Sequence, residues 1–512
     1  MKNEKNQDKL QDALGKIDEK LIARAAKQPM KYATKIKWIS SVAAVLVVCI
    51  VFGALMGSGV LFGMRNPLET TVGEDKNNPF GNDILLDETT NGANPFDPIK
   101  GSRLLAAAKY PEIVKFPSSN APNYANLYYE WSRERDGRLL EYRNQTGNID
   151  NFVKSTVGEF LGGAEGENTV YSPLSVYMAL AMLAESTGGN SRTQILKLLG
   201  VETIEQLRTQ TKAIWNYNYN DGEDLATVLA NSLWMNEKLS FNEETVNRLA
   251  ENYYASLYQG EMGSDEYNQM LQDWMNAETR GLLKEQIDQI EMTPETILSL
   301  VSTLFFKDAW QDELSSAPVK KCFYGDRENV FCDFLIGTHK GKYYEKDNFT
   351  AVVKYMGTSS MYLILPNESI DIDTILSDEE LLNFIVAPSA KSYQRKIIQL
   401  ELPKFKVTSQ FDLKDSLQNL GITDCFASER ADFSPIVTEN AYVSEIKHGA
   451  TVEIDENGVM GSAYTYIKPQ PLGKVESEQL ETVKFTVDRP FLFVITGESG
   501  DPLFVGTVNQ IE

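Results

Sequence analysis

The sequence predicts an α+β domain behind a single N-terminal transmembrane helix. Three observations carry this. Helix-period segments crowd the stretch from about residue 148 to 290, strand-like apolar runs dominate from 297 onward, and no strand–helix–strand alternation joins the two. One long apolar stretch near the N-terminus carries no charge.

That stretch runs from Trp38 to Met64. As a helix its 27 residues rise about 40 Å, enough to cross a hydrocarbon layer of roughly 30 Å with tilt. It is longer than the apolar part of a signal peptide, about 7–15 residues, and no Ala-x-Ala site follows it. Lys20, Arg24, Lys27, Lys31, Lys35 and Lys37 precede it, with no acid after Glu19. The asymmetry places residues 1–37 in the cytoplasm and everything beyond 64 outside the cell. The lipid bilayer is thus an expected partner through 38–64, and the cell membrane the expected location.

The 512 residues carry 49 basic and 72 acidic side chains, a net −23. Segment 1–37 holds ten basic against five acidic residues, which leaves −28 for the rest. Such a surface does not suit nucleic acid, whose phosphates need a basic patch. Two His and four Cys do not furnish a His-rich zinc site or a dense disulfide framework. No cofactor motif is present.

Residues 65–101 are rich in Asn, Asp, Gly and Pro without apolar period and read as a flexible tether. In 102–145, Tyr110, Tyr124, Tyr128, Tyr129 and Trp131 suggest partial packing, so 65–145 is taken as linker and pre-domain. From about 146 to 512 the main domain follows. Ile149, Phe152, Val153, Val157 and Phe160 share one helical face. Strand-like runs are Ile297–Phe306, Thr350–Tyr355, Met361–Leu365, Ile397–Leu402, Lys484–Val487, Phe491–Thr496 and Leu503–Val508. The last two flank Gly497-Glu-Ser-Gly-Asp-Pro502 and form a hairpin. This turn looks like the nucleophile loop of trypsin-like proteases. A nucleophilic Ser needs a base held by a carboxylate, and neither His339 nor His448 lies in a matching context.

Ten segments in order carry a resemblance. They include Asn168-Thr-Val-Tyr-Ser-Pro-Leu-Ser175, Leu229-Ala-Asn-Ser-Leu-Trp234, Trp274-Met-Asn-Ala-Glu-Thr-Arg-Gly281, Leu304-Phe-Phe-Lys-Asp-Ala-Trp310, Leu402-Pro-Lys-Phe-Lys406 and Asp488-Arg-Pro-Phe-Leu-Phe493. From about 148 to 512 the chain resembles the serpins. The resemblance implies helices around three sheets, an exposed reactive-centre loop, and a suicide-substrate inhibitor of serine proteases, not an enzyme.

Val452-Glu-Ile-Asp-Glu456-Asn-Gly458 resembles the serpin hinge. In that family the loop after the hinge, once cut, inserts as a new strand of the main sheet. An inserting strand needs an uncharged face, small near the point of insertion. Alternation places Val459, Gly461, Ala463, Thr465 and Ile467 on one face, and none is charged. Pro469 and Pro471 cannot donate to a central ladder, so the strand ends near Lys468. Ten residues span roughly 33 Å. Family spacing from Glu456 implies a scissile bond between Leu472 and Gly473, suiting an elastase- or chymotrypsin-like target; Lys468 and Lys474 are alternatives for a trypsin-like one. The protease is the expected partner, in a covalent acyl complex, with the inhibitor a monomer.

The resemblance also implies a sheet-opening cluster of Ser172, Ser175 and His448, with Ser302 where the family has Asn, and Trp310 near the insertion point. Cys322 and Cys332, ten apart, could pair across neighbouring strands in an oxidising compartment. The alternative function is a non-inhibitory binding or scaffolding module of the same fold.

Overall fold

The computed structural model describes residues 102–163, 166–288, 290–443, 446–459 and 480–511. Segments 1–37, 38–64 and 65–101 lie outside the described residues. Among the described ones, no helix is long and apolar enough to cross a membrane.

The helices are α1 (Tyr124–Glu141), α2 (Asp150–Leu161), α3 (Pro173–Ser186), α4 (Gly189–Leu199), α5 (Ile204–Asn218), α6 (Glu243–Asn252), α7 (Asp265–Glu278), α8 (Lys284–Ile287), α9 (Ile372–Ile375), α10 (Glu379–Val386) and α11 (Lys414–Asn419). The strands are β1 (Arg103–Ala106), β2 (Thr169–Tyr171), β3 (Ala226–Asn236), β4 (Ala255–Gly260), β5 (Leu298–Ala309), β6 (Ser315–Ser316), β7 (Lys321–Tyr324), β8 (Asn329–Cys332) and β9 (Phe334–Glu345). They continue as β10 (Phe349–Tyr355), β11 (Ser360–Pro366), β12 (Gln394–Pro403), β13 (Lys406–Asp412), β14 (Lys447–Glu453), β15 (Gly458–Val459), β16 (Thr482–Thr486), β17 (Phe491–Thr496) and β18 (Pro502–Val508). Helices dominate before about 290 and strands after it, as expected, but β2, β3 and β4 interrupt the helical half and α9, α10 and α11 the strand half.

The larger sheet runs β16-β12-β9-β10-β11-β17-β18-β2, with β6 paired to β9. A second sheet runs β1-β4-β3-β5-β15, and β13 and β14 pair separately. Helix α3 lies behind these strands and buries almost every side chain. Its start is fixed locally: Pro173 takes the first turn, where no N–H is needed, and the Ser172 hydroxyl accepts from the Ser175 N–H. The predicted apolar face of α2 is buried at Phe152, Val153, Val157 and Phe160.

Residues 102–145 are more than a linker. β1 adds an edge strand to β4, and Tyr110 stacks on Trp215, ring centroids 5.3 Å apart. Phe116 and Trp131 are buried in one cluster with Leu225 and Ala309. Buried Arg138 donates to the carbonyls of Asn216 and Tyr219.

Candidate functional site

The site is a gap between β5 and β14, closed at one end. β5 pairs with β3 along nearly its whole length, but no described residue below the hinge hydrogen-bonds it to β14. The half of β5 from Leu298 to Ser302 is consequently only half-buried, although it is apolar at Leu298, Leu300 and Val301. A cavity of about 100 Å³ opens there, between β5, the 443–449 segment and α3.

At the closed end the chain turns back on itself. Asp455 Oδ1 accepts from the N–H groups of Asn457 and Gly458. This Asx-type turn delivers β15 to β5 in antiparallel register, Gly458 opposite Ala309 and Val459 opposite Asp308. Val459 also bridges to Ile454. The hinge Gly458 and Val459, the first residue of the predicted inserting strand, therefore already pair with β5, with Val459 buried. Trp310 holds the turn: its backbone N–H donates to Asn457 O at 2.8 Å and its indole Nε1 to Asp455 O at 2.9 Å. Glu456 is clamped by Lys404 Nζ at 2.5 Å and by the Ser316 hydroxyl, and these bonds pull its carboxyl down to about 2.

Beneath the gap, α3 touches both separated strands. Ser175 Oγ donates to Ser302 O at 3.1 Å and lies 3.2 Å from the Ser302 hydroxyl on β5. The Ser172 N–H donates to His448 Nε2 on β14 at 3.0 Å. His448 is buried and partnered as a neutral acceptor, and burial lowers its pKa to about 4. Ser172, Ser175, Ser302 and His448 are thus brought together at the start of α3.

Comparison with known proteins decides the family. The model for "Serpin (serine protease inhibitor)" matches residues 148–511. The chain belongs to the serpin family. Among curated relatives, the plasma serine protease inhibitor of Bos taurus is 26% identical over 372 residues, covering 70% of this chain and 89% of that one. An uncharacterized serpin-like protein of Methanosarcina acetivorans is 28% identical over 369 residues, covering 68% and 82%. The native thermophilic serpin tengpin superposes with a TM-score of 0.62 at 24% identity, over 72% of this chain and 95% of that one.

Within this serpin, Gly461, Ala463, Thr465, Ile467, Leu472 and Gly473 lie outside the described residues. The Cys322–Cys332 disulfide is corrected: both thiols are free. Register explains why. Cys322 stands opposite Phe331, and Cys332 opposite Lys321, so the two side chains project from opposite faces of the β7–β8 hairpin. The Gly497–Pro502 segment is the β17–β18 turn, and the Ser499 hydroxyl donates to Asn218 Oδ1 rather than to an imidazole.

Sequence reasoning did not single out Lys404, Ser316 or Asp308. Lys404 stood within the quoted Leu-Pro-Lys-Phe segment, which was its signal. Asp308 stood within the Leu304–Trp310 segment, and its carboxylate caps the 356–359 turn through Gly357 N, Thr358 N and Ser359 Oγ. Ser316 had no sequence signal.

Proposed function

We propose that this serpin inhibits a serine protease by inserting its cut loop between β5 and β14. One observation carries the reading: β15 already pairs with β5, and Val459 bridges to Ile454 just past β14, at one end of a gap in which no other described residue forms a strand. Cleavage beyond residue 468 frees 459–468 to continue the same ladder. Each added residue trades solvated backbone groups and a half-buried β5 for paired, buried ones. The acyl-enzyme is carried along and distorted before water can release it. The protein supplies no nucleophile and no metal; the protease does the chemistry until it is trapped.

The uncharged alternation from Val459 to Ile467 supports this against the non-inhibitory reading. Leu472 supports an elastase- or chymotrypsin-like target. The apolar 38–64 stretch and its basic flank support display outside the cell on a membrane tether. The test is incubation of the chain with elastase-, chymotrypsin- and trypsin-like proteases. An SDS-stable complex and a C-terminal fragment beginning at Gly473 are expected. Clean cutting without an adduct, and with no rise in melting temperature, would assign the binding-module role instead.

A further inference from the structure

We propose that Asn457 and Gly458 are a self-modifying pair in the hinge, where the Gly458 nitrogen displaces ammonia from the Asn457 side chain with the Asp455 carboxylate as proton carrier. Asn-Gly is the dipeptide in which this ring closure is least hindered, because glycine sets no side chain beside the attacking nitrogen. The sequence holds it twice, at Asn91-Gly92 and at Asn457-Gly458. At the second, one carboxylate touches both reacting groups. Asp455 Oδ1 accepts from the Gly458 N–H, the nucleophile, at 3.1 Å, and Asp455 Oδ2 accepts from Asn457 Nδ2, the leaving group, at 3.4 Å. Oδ1 also accepts from the Asn457 N–H at 2.8 Å. Lys404 is taken by the neighbouring Glu456, which leaves the Asp455 carboxylate to these donors. The main chain is pinned on either side: the Trp310 N–H donates to Asn457 O at 2.8 Å and the Asp455 N–H to Gly458 O at 3.0 Å. Groups held this way react without first having to find one another. Asp455, Glu456 and Asn457 are only half-buried, so water reaches the turn.

The step balances with no partner except solvent. The Gly458 nitrogen attacks Asn457 Cγ and gives its hydrogen to Asp455. The new N–Cγ bond closes a cyclic imide, the Cγ–Nδ2 bond breaks, and the departing amide nitrogen takes up that proton and leaves as ammonia. Water then opens the ring. Attack at Cγ returns an ordinary main chain with aspartate at the position. Attack at the main-chain carbonyl leaves isoaspartate, with the chain running through the former side chain. Either product alters the hinge. Aspartate adds a third carboxylate beside Asp455 and Glu456. Isoaspartate lengthens the main chain by one methylene just before Gly458, and the register of Gly458 on Ala309 and of Val459 on Asp308 is lost. The pair thereby works as a clock: a molecule that meets no protease loses its capacity to insert. That consequence rests on the inhibitory reading; the ring closure does not.

The test uses the full chain, stored near neutral pH at 37 °C either native or unfolded in guanidinium chloride, with conversion at each Asn-Gly pair followed by peptide mapping. Asn457 should convert faster in the native chain than in the unfolded one by about tenfold or more, below the usual gain from a placed acid–base group because the fold also restrains the ring. Asn91, with Thr89 where Asp455 stands in the other pair, is the internal reference and should show no such gain. Asp455→Asn should remove the native gain and leave the unfolded rate unchanged, with Asp455→Glu restoring part of it. Inhibitory activity, taken relative to each chain's starting value, should fall in step with the converted fraction in wild type and more slowly in Asn457→Gln, whose longer side chain closes the ring poorly. Conversion no faster in native than in unfolded wild type would overturn the proposal, and that comparison needs no variant to fold. So would faster native conversion in Asp455→Asn, which would make the carboxylate a guard. Conversion with full retention of inhibition would overturn the clock. If the chain inhibits no protease yet Asn457 converts as expected, ring closure stands and loop insertion fails.

Discussion

Gly458 sits in antiparallel register with Ala309, so close that a Cβ on Gly458 would stand 2.8 Å from the Ala309 Cα and would overlap the Asp308 carbonyl oxygen. The hinge can begin its strand only where no side chain intervenes. Gly458→Ala should therefore unseat β15 at a cost of about 1–3 kcal/mol, the range for overpacking. Inhibition should slow and the stoichiometry should rise, because more loops are cut and released before insertion starts. Titration of the protease with variant and wild type measures this; equal stoichiometry would show that seating the hinge is not part of the mechanism.

Lys404 and Glu456 form a pair that is about one-third exposed on each side. Solvent screens such a pair, so Lys404→Ala should lower global stability by about 1 kcal/mol or less. Its effect on the hinge should be larger than that suggests, since Glu456 would keep only the Ser316 hydroxyl. Spontaneous loss of inhibitory activity on storage at 37 °C should quicken in Lys404→Ala, with Lys404→Arg restoring most of the difference.

Much of this arrangement was legible in the residues, for identifiable reasons. The apolar face of α2 follows a helical period with one side in the core, and β10, β11, β17 and β18 are short, nearly continuous apolar runs buried on both faces. β3 is buried at every position and shows no period, so only its motif marked it. β1 is four residues long, too short to alternate recognisably. The gap beside β5 has no sequence signal, because it is an unmade rung between strands about 140 residues apart. The free thiols teach the same lesson: a spacing of ten suits a pair of strands, but one step of register decides whether two side chains meet.

Asp308 and His448 should oppose each other in acid. Burial raises the Asp308 carboxyl to about 6 against an ordinary 3.8, even though three donors serve it. The folded state thus holds that proton more tightly, and the contribution is full below about pH 4 and lost as pH rises through 6. Burial lowers His448 to about 4 against 6.5. Its contribution is full above 6.5 and lost as pH falls through 4. Asp308→Asn removes the first and leaves the second. Between pH 7 and 4 the variant's stability should fall relative to wild type by about 3 kcal/mol, two pKa units at about 1.4 kcal/mol each. Urea denaturation at several pH values decides it: parallel curves would mean that Asp308 keeps its ordinary pKa in the fold.

Trp131 belongs to the segment ahead of the family's match, yet it is buried against Phe116, with ring centroids 4.8 Å apart, and shares a cluster with Ala309, the residue that receives Gly458. The segment is anchored elsewhere as well, through β1 on β4, through Arg138 on the carbonyls of Asn216 and Tyr219, and through Arg135 on Glu498 in the β17–β18 turn. Trp131→Ala should cost about 3–5 kcal/mol by cavity formation. If the segment only decorates the fold, that loss should appear in unfolding alone. Because its cluster includes the end of β5, the variant should also lose inhibitory activity faster at temperatures well below its unfolding midpoint. Trp131→Phe, which keeps an aromatic ring against Phe116, should recover most of both.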